Sequence, residues 1–202
     1  MRTAVFVTPF VFLAFTSVSP AHADPQTHDG FLLRLSLGFG YENLAIDSGA
    51  ASTIDIGGFG AGTSIGIGGV IAPNLAINAD LFAAAVVSPN VKQNGVALGE
   101  ATDTSVTLSG LGVGATYYIM PVNVYVALSL GFAATSITVD GSDFQSDSGF
   151  ALNAMVGKEF WVGSEWGIGV AGQFIYADVP TTSDDASASF IAANLMFTAT
   201  FN

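Results

Sequence analysis

The last thirteen residues, Phe190 to Asn202 (FIAANLMFTATFN), alternate in polarity. Ile191, Ala193, Leu195, Phe197, Ala199 and Phe201 share one parity and are all apolar, whereas Asn194, Thr198 and Thr200 fall on the other. A period of two sends successive side chains to opposite faces of a β-strand. A soluble sheet seldom ends on its most apolar strand with nothing after it for cover. The apolar set is at home if its solvent is hydrocarbon, so the spacing predicts a membrane barrel that this strand closes.

The same period runs through the preceding chain. In Phe31 to Glu42, the residues Phe31, Leu33, Leu35, Leu37, Phe39 and Tyr41 form an apolar face, with Arg34, Ser36, Gly38, Gly40 and Glu42 behind it. Further strands are predicted over about 56–70, 75–87, 106–119, from Val124 through Phe132, 150–161 and 166–176. Their outward faces carry Ile65, Leu81, Val113, Leu128, Val156 and Val170 among others, and their inward faces carry Gly, Ser, Asn and a few acids. Val106 and Leu108 have the wrong parity, which predicts a bulge near Ser109 or a strand end rising above the membrane. Tight turns fall at Pro73-Asn74, Pro121-Val122-Asn123 and Gly163-Ser164-Glu165. Longer polar loops separate the other strands, among them an acidic one with Asp140, Asp143 and Asp147 and one over 178–187 with Asp184 and Asp185. Short turns alternating with long loops, and strands beyond the about 9–11 residues that a tilted crossing needs, predict eight transmembrane strands in an up-and-down antiparallel β-barrel.

Residues 1–23 carry the marks of an export leader. Arg2 supplies the positive end, Ala4 to Val18 the apolar stretch, and Ala21-His22-Ala23 the small-x-small site, with cleavage between Ala23 and Asp24. The barrel domain is then 24–202, opening on a polar lead-in (DPQTHDG). Beyond the leader only Arg34, Lys92 and Lys158 stand against 16 acids, a balance that excludes nucleic-acid binding. The chain has no Cys, which removes disulfides, thiolate metal sites and Cys nucleophiles.

Helices are the rival way across a membrane, since 56–79 and 104–139 contain no charge. Pro73 and Pro121 and the glycines at every second residue speak against helices. In a bilayer every backbone group must be paired, so the sheet has to close, first strand on last.

An eight-stranded barrel is just wide enough to be filled by side chains. The inward parity offers Phe82, Tyr118, Tyr125, Trp161 and Phe190 to fill space beside glycines. Arg34 is inward and needs a carboxylate partner. The expected contact is Arg34 with Glu159, with Asp80 as the alternative. Glu42, Asn78, Asn153, Gln173 and Asn194 complete a polar lumen network, read either as a structural plug or as a gate. Aromatic residues near strand ends (Tyr41, Phe59, Tyr117, Phe160, Trp161, Trp166, Phe174, Tyr176, Phe201) predict interfacial girdles, although Trp161 is inward by parity. The loop acids do not have EF-hand spacing. His28 is the one histidine beyond the leader and precedes the first strand, so a Ser-His-acid site on the barrel lacks its base. No cofactor, metal or enzymatic activity is expected.

The leader, the eight alternating strands, the short turns and the aromatic terminal strand resemble the small outer-membrane β-barrel family of Gram-negative bacteria, the OmpA/OmpX type, over Phe31 to Asn202. The resemblance implies a monomer in the outer membrane, in contact with lipid and lipopolysaccharide. It also implies insertion by the barrel-assembly machinery, which reads terminal aromatics such as Phe197 and Phe201; the usual last residue is Phe, and here Asn202 follows. No peptidoglycan-binding domain accompanies the barrel, so a wall-anchoring role does not carry over. Three functions follow: a structural or surface-interaction protein, a narrow porin-like pore, or a soluble exported barrel holding an apolar ligand. The last requires the reverse polarity, apolar inside and polar outside.

Overall fold

The computed structural model of the protein describes residues 27–48, 52–180 and 187–202. The expected leader, its Ala23/Asp24 cleavage pair and the loop acids Asp184 and Asp185 lie outside these residues. Eleven strands follow one another: β1 (Phe31–Asp47), β2 (Thr53–Ala72), β3 (Leu75–Val87), β4 (Asn90–Gln93), β5 (Val96–Glu100), β6 (Thr104–Ile119), β7 (Val124–Val139), β8 (Ser142–Gln145), β9 (Gly149–Trp161), β10 (Trp166–Pro180) and β11 (Ser187–Phe201).

Eight of them, β1, β2, β3, β6, β7, β9, β10 and β11, pair antiparallel with their neighbours around a closed ring. Closure is made by β1 on β11, from Leu33 opposite Phe201 to Asp47 opposite Ser187. The eight-strand ring has no open edge, as hydrocarbon surroundings demand. The described residues contain no helix, and the two uncharged stretches that could pass for helices are the β2–β3 and β6–β7 hairpins.

The short turns, at Pro73-Asn74, around Asn123 and at Gly163 to Glu165, all lie at the end that holds Phe31 and Phe201. Asn74 and Asn123 take the left-handed backbone (φ 63° and 52°), a conformation asparagine tolerates better than most residues. At the opposite end the strands overshoot the sequence-based limits. β1 runs five residues past Glu42, and the expected loop over 88–103 contains the hairpin β4–β5, whose β4 pairs with β2. β8 similarly folds back on β7.

Polarity is inverted relative to a soluble barrel. The odd positions of β1 and the corresponding faces of the other strands are exposed and apolar, with Leu37 at 66% and Phe132 at 68% exposure. Arg34, Asp80, Asn153, Glu159, Gln173 and Asn194 are buried on the inner face. The soluble, ligand-holding barrel required the opposite outer wall. Aromatics gather at both rims of the apolar band: Phe31, Phe201 and Trp166 near the short turns, and Phe39 against Phe59 toward the other end.

The bulge expected near Ser109 is absent. β6 keeps continuous register with both β3 and β7, so Val106 and Leu108 simply point inward, where both are fully buried. Their parity is explained by the interior, which turns apolar at this level. Leu44, Phe82, Val86, Val106, Leu108, Ile175, Val179 and Phe190 pack there as one cluster.

Candidate functional site

The lumen is the place where this chain concentrates buried polar chemistry, and it is built in tiers. Glycines make the room. A Cβ on Gly110 would lie 2.4 Å from the Phe82 ring, one on Gly157 would meet Tyr125 at 2.6 Å, and one on Gly38 would meet Met196 Sδ at 2.6 Å. These three inward side chains thus lie over glycines of neighbouring strands, where wall and filling are complementary.

The middle tier is centred on Asp80. Its carboxylate accepts from Ser64 Oγ (2.8 Å), Ser129 Oγ (2.9 Å) and Asn153 Nδ2 (2.8 Å), three donors from three strands. Asn153 Oδ1 accepts from Gln173 Nε2 (3.1 Å), and Gln173 Oε1 accepts from Asn194 Nδ2 (3.2 Å). The chain Asn194–Gln173–Asn153–Asp80 therefore spans the lumen as one hydrogen-bonded bar. Charge-assisted bonds to a buried carboxylate are roughly twice as strong as neutral ones, so the hub sits where the most donors converge.

Below it, toward the short turns, lie two smaller groups. Arg34 Nη2 donates to Thr116 Oγ1 (3.0 Å), which donates to Asn78 Oδ1 (3.1 Å). The guanidinium also lies over the Tyr125 ring, 4.6 Å from its centroid. Glu159 Oε1 accepts from Thr200 (2.6 Å) and Thr198 (3.3 Å). Among the described residues no carboxylate comes within ion-pair distance of Arg34. The expected Arg34–Glu159 contact is therefore replaced by two threonine-mediated arrangements, and the Asp80 alternative by the hub. A buried cation can be held by a hydroxyl and an aromatic face, because the ring quadrupole attracts it where water is excluded.

Glu42 also departs from expectation. It is fully buried but separate from the network, with no side-chain hydrogen-bond partner among the described residues, and its carboxylate faces the Ala85 backbone. Its cross-strand neighbours are Gly58 and Ala192, next to the apolar tier. Parity gives a residue's face but not its height, and at Glu42's height the neighbouring inward residues are glycine and alanine.

One residue of the site escaped the sequence reading. His28, expected in a polar lead-in, is 2% exposed and covers the mouth at the short-turn end. Its ring stacks on Tyr118 at 3.4 Å, lies 5.0 Å from Trp161, and its Nε2 is 2.8 Å from Asn123 Oδ1. The amide oxygen accepts, so the imidazole proton is on Nε2. Gly30 makes this placement possible. Its φ of +70° turns the lead-in under the barrel, and its carbonyl accepts the Val70 N–H at 2.8 Å. A glycine between a lone aromatic ring and the first strand was the only cue in the sequence.

The remaining expected residues take these places. Phe197 is exposed on the outer wall, and Phe201 packs between Phe31 and Trp166. Of the loop acids, Asp143 accepts from Thr138 Oγ1 at 2.6 Å, and no group of three His, Cys, Asp or Glu converges among the described residues.

No protein-family model matches the chain, and no curated protein matches it. Solved structures do. Neisserial surface protein A is 17% identical, covering 83% of this chain and 96% of its own, with a TM-score of 0.48. The outer membrane protein OprG from Pseudomonas aeruginosa is 14% identical over 89% of this chain and all of its own, with a TM-score of 0.49. The outer membrane protein AlkL, solved in lipid bilayers, is 15% identical over 93% and 97%, also at 0.49.

Proposed function

We propose that this protein is an integral outer-membrane barrel with a closed lumen, acting through its wall and its extracellular loops in a structural or surface-interaction role. In this reading it is exported with its leader removed after Ala23 and inserted by the barrel-assembly machinery. It then stands as a monomer among outer-membrane lipid and lipopolysaccharide. The observation that supports it is the filling of the lumen at three successive heights: the His28 lid, the Asp80 bar and the apolar tier around Phe82 and Phe190. The network is a plug in this reading, not a gate. Neither the lid nor the hub presents a reacting geometry, so no enzymatic role is proposed. Planar-bilayer recording of the refolded protein tests the claim: no stepwise conductance is expected, and steady channels would instead favour the narrow pore.

A second reading has a specific feature behind it. The extracellular mouth holds a cup of about 190 Å³ lined by Leu44, Ile46, Ile137, Phe144 and Val179 among others. Such a lining facing the mouth suits a small apolar molecule better than an ion. Displacement of an environment-sensitive apolar dye, lost on Ile137→Asp, would support it.

A further inference from the structure

On the outer wall, beyond the apolar band, the face that carries Leu37, Phe39 and Phe59 turns polar and is notched. Asn43 of β1, Gly57 of β2 and Asn90 of β4 are cross-strand neighbours in one row, and Ala45, Asp55 and Lys92 form the next. Gly57 lets the Asn43 amide fold over the centre of the first row: a Cβ there would lie 2.6 Å from Asn43 Oδ1, 2.7 Å from the Glu42 carbonyl oxygen and 3.1 Å from the Tyr41 hydroxyl. Beside this amide, with Tyr41, Asp55, Asn90 and Lys92 around it, is a cavity of about 250 Å³. Its position is held by the backbone pairing of β4 onto β2, not by a mobile side chain.

The polar groups around the cavity are largely uncommitted. Asn43 Nδ2 reaches Asp55 Oδ1 only at 3.5 Å. The Asn90 amide and the Lys92 ammonium make no side-chain hydrogen bond or ion pair with another described residue. Arg34 lies in the lumen and Lys158 donates to the Val122 carbonyl at the short-turn end, so Lys92 is the basic side chain of the extracellular half among the described residues. Asp55 beside it disfavours an anion, and Lys92 disfavours a cation. An apolar occupant would leave amides, carboxylate and ammonium unmet, at a cost of about 1–3 kcal/mol for each group buried. What suits a ring of mixed donors and acceptors edged by a tyrosine is a neutral molecule that carries several hydroxyls and an apolar face.

We infer that the notch binds a sugar ring, and specifically one borne by a glycolipid of the outer leaflet. The notch lies on the outward face just beyond Tyr41 and Phe59, with Phe39 next along β1, so a ring held by Asn43, Asn90 and Lys92 would leave its acyl chains on the apolar wall. The tether adds affinity, because a lipid already in the membrane offers its headgroup at high effective concentration. This rests on the membrane reading given above.

The test uses the isotope-labelled full-length barrel, refolded in phosphocholine micelles, with an alkyl glucoside as probe and methyl glucoside as its untethered counterpart. Saturable amide shifts at Asn43, Gly57, Asn90 and Lys92 are expected, at alkyl glucoside concentrations about tenfold or more below those of methyl glucoside. Asn90→Ala and Lys92→Ala change exposed side chains that make no internal bond, and each should weaken binding several-fold. Equal affinities for the two glucosides would keep the sugar chemistry but assign it to free sugars, overturning the lipid assignment. Shifts that do not saturate, that spread around the whole barrel, or that persist unchanged in Asn90→Ala and Lys92→Ala would overturn the site. Failure of the membrane reading is seen separately: the barrel would then stay in solution without detergent, before any sugar is added.

Discussion

The imidazole of His28 lies flat on the phenol ring of Tyr118, with centroids 3.4 Å and planes 15° apart, and only 2% of the histidine is exposed. The contact joins a residue that precedes the first strand to the end of β6. It makes the lead-in part of the barrel. Above the pair, Tyr125 is 5.7 Å from Tyr118 and Arg34 lies over Tyr125, so an aromatic column runs from the lid to the buried cation.

Removing the lid should therefore cost stability without opening a path. A stacked ring contributes about 0.5–1.5 kcal/mol beyond its area, and the Asn123 hydrogen bond about 1 kcal/mol. His28→Ala is expected to lower unfolding free energy by about 1–2.5 kcal/mol in a denaturant titration of the refolded protein. His28→Phe, which keeps the stack and loses the bond, should lose less. Bilayer conductance should stay at background in both, because the Asp80 bar lies further in.

Asp80 is the residue whose loss the lumen tolerates least. Asp80→Ala strips three buried donors of their acceptor and leaves a void, a change of about 3–5 kcal/mol. Asp80→Asn keeps the shape and part of the bonding and should cost less than half as much. Loss of the heat-resistant folded band on a gel would report the difference. Equal stability of Asp80→Ala and the natural protein would show that the bar contributes nothing.

The fit between Phe82 and Gly110 can be probed in both directions. Gly110→Ala puts a methyl 2.4 Å from the ring, and overpacking of this kind costs about 1–3 kcal/mol. Phe82→Leu alone should also destabilise. Together the two should cost less than their sum, the signature of residues in direct contact. Simple additivity in the refolding free energies would mean that the ring does not lie over the glycine.

The outer wall supplies the test of the membrane assignment. Leu128 is exposed at the middle of the apolar run from Val124 to Phe132 in β7, and an arginine on a lipid face costs about 2–4 kcal/mol at the midplane of a bilayer. Leu128→Arg should slow or prevent refolding into lipid vesicles by that amount. Val139→Arg, at the end of the same strand away from the short turns, should be nearly neutral. If both were neutral, the wall would not face hydrocarbon.

How far the sequence reaches can be judged from β3 and β1. β3 was legible to the residue, Leu75 to Val87, because Pro73-Asn74 bounds one end and its alternation is clean. β1 runs on to Asp47, since beyond Glu42 the large apolar residues, Leu44 and Ile46, pass to the inner parity and the outward alternation that marked the strand stops. Val106 and Leu108 look like an error of parity only while the aliphatic side chains of β6 are all assigned to the lipid-facing side, whereas these two belong to the inner apolar cluster.

The sequence by itself determined which face of each strand a side chain occupies, that the sheet closes β1 on β11, and that its outer surface is apolar. Those follow from a period of two and from the need to pair every backbone group where water is absent. Only the tertiary structure decided partners. Arg34 meets Thr116, not Glu159; Asp80 becomes the hub; Glu42 stands apart; and His28 closes the mouth. Contacts across a lumen depend on strand tilt and on the stagger between strands. Both are properties of the closed ring, and alternation along one strand carries no record of either.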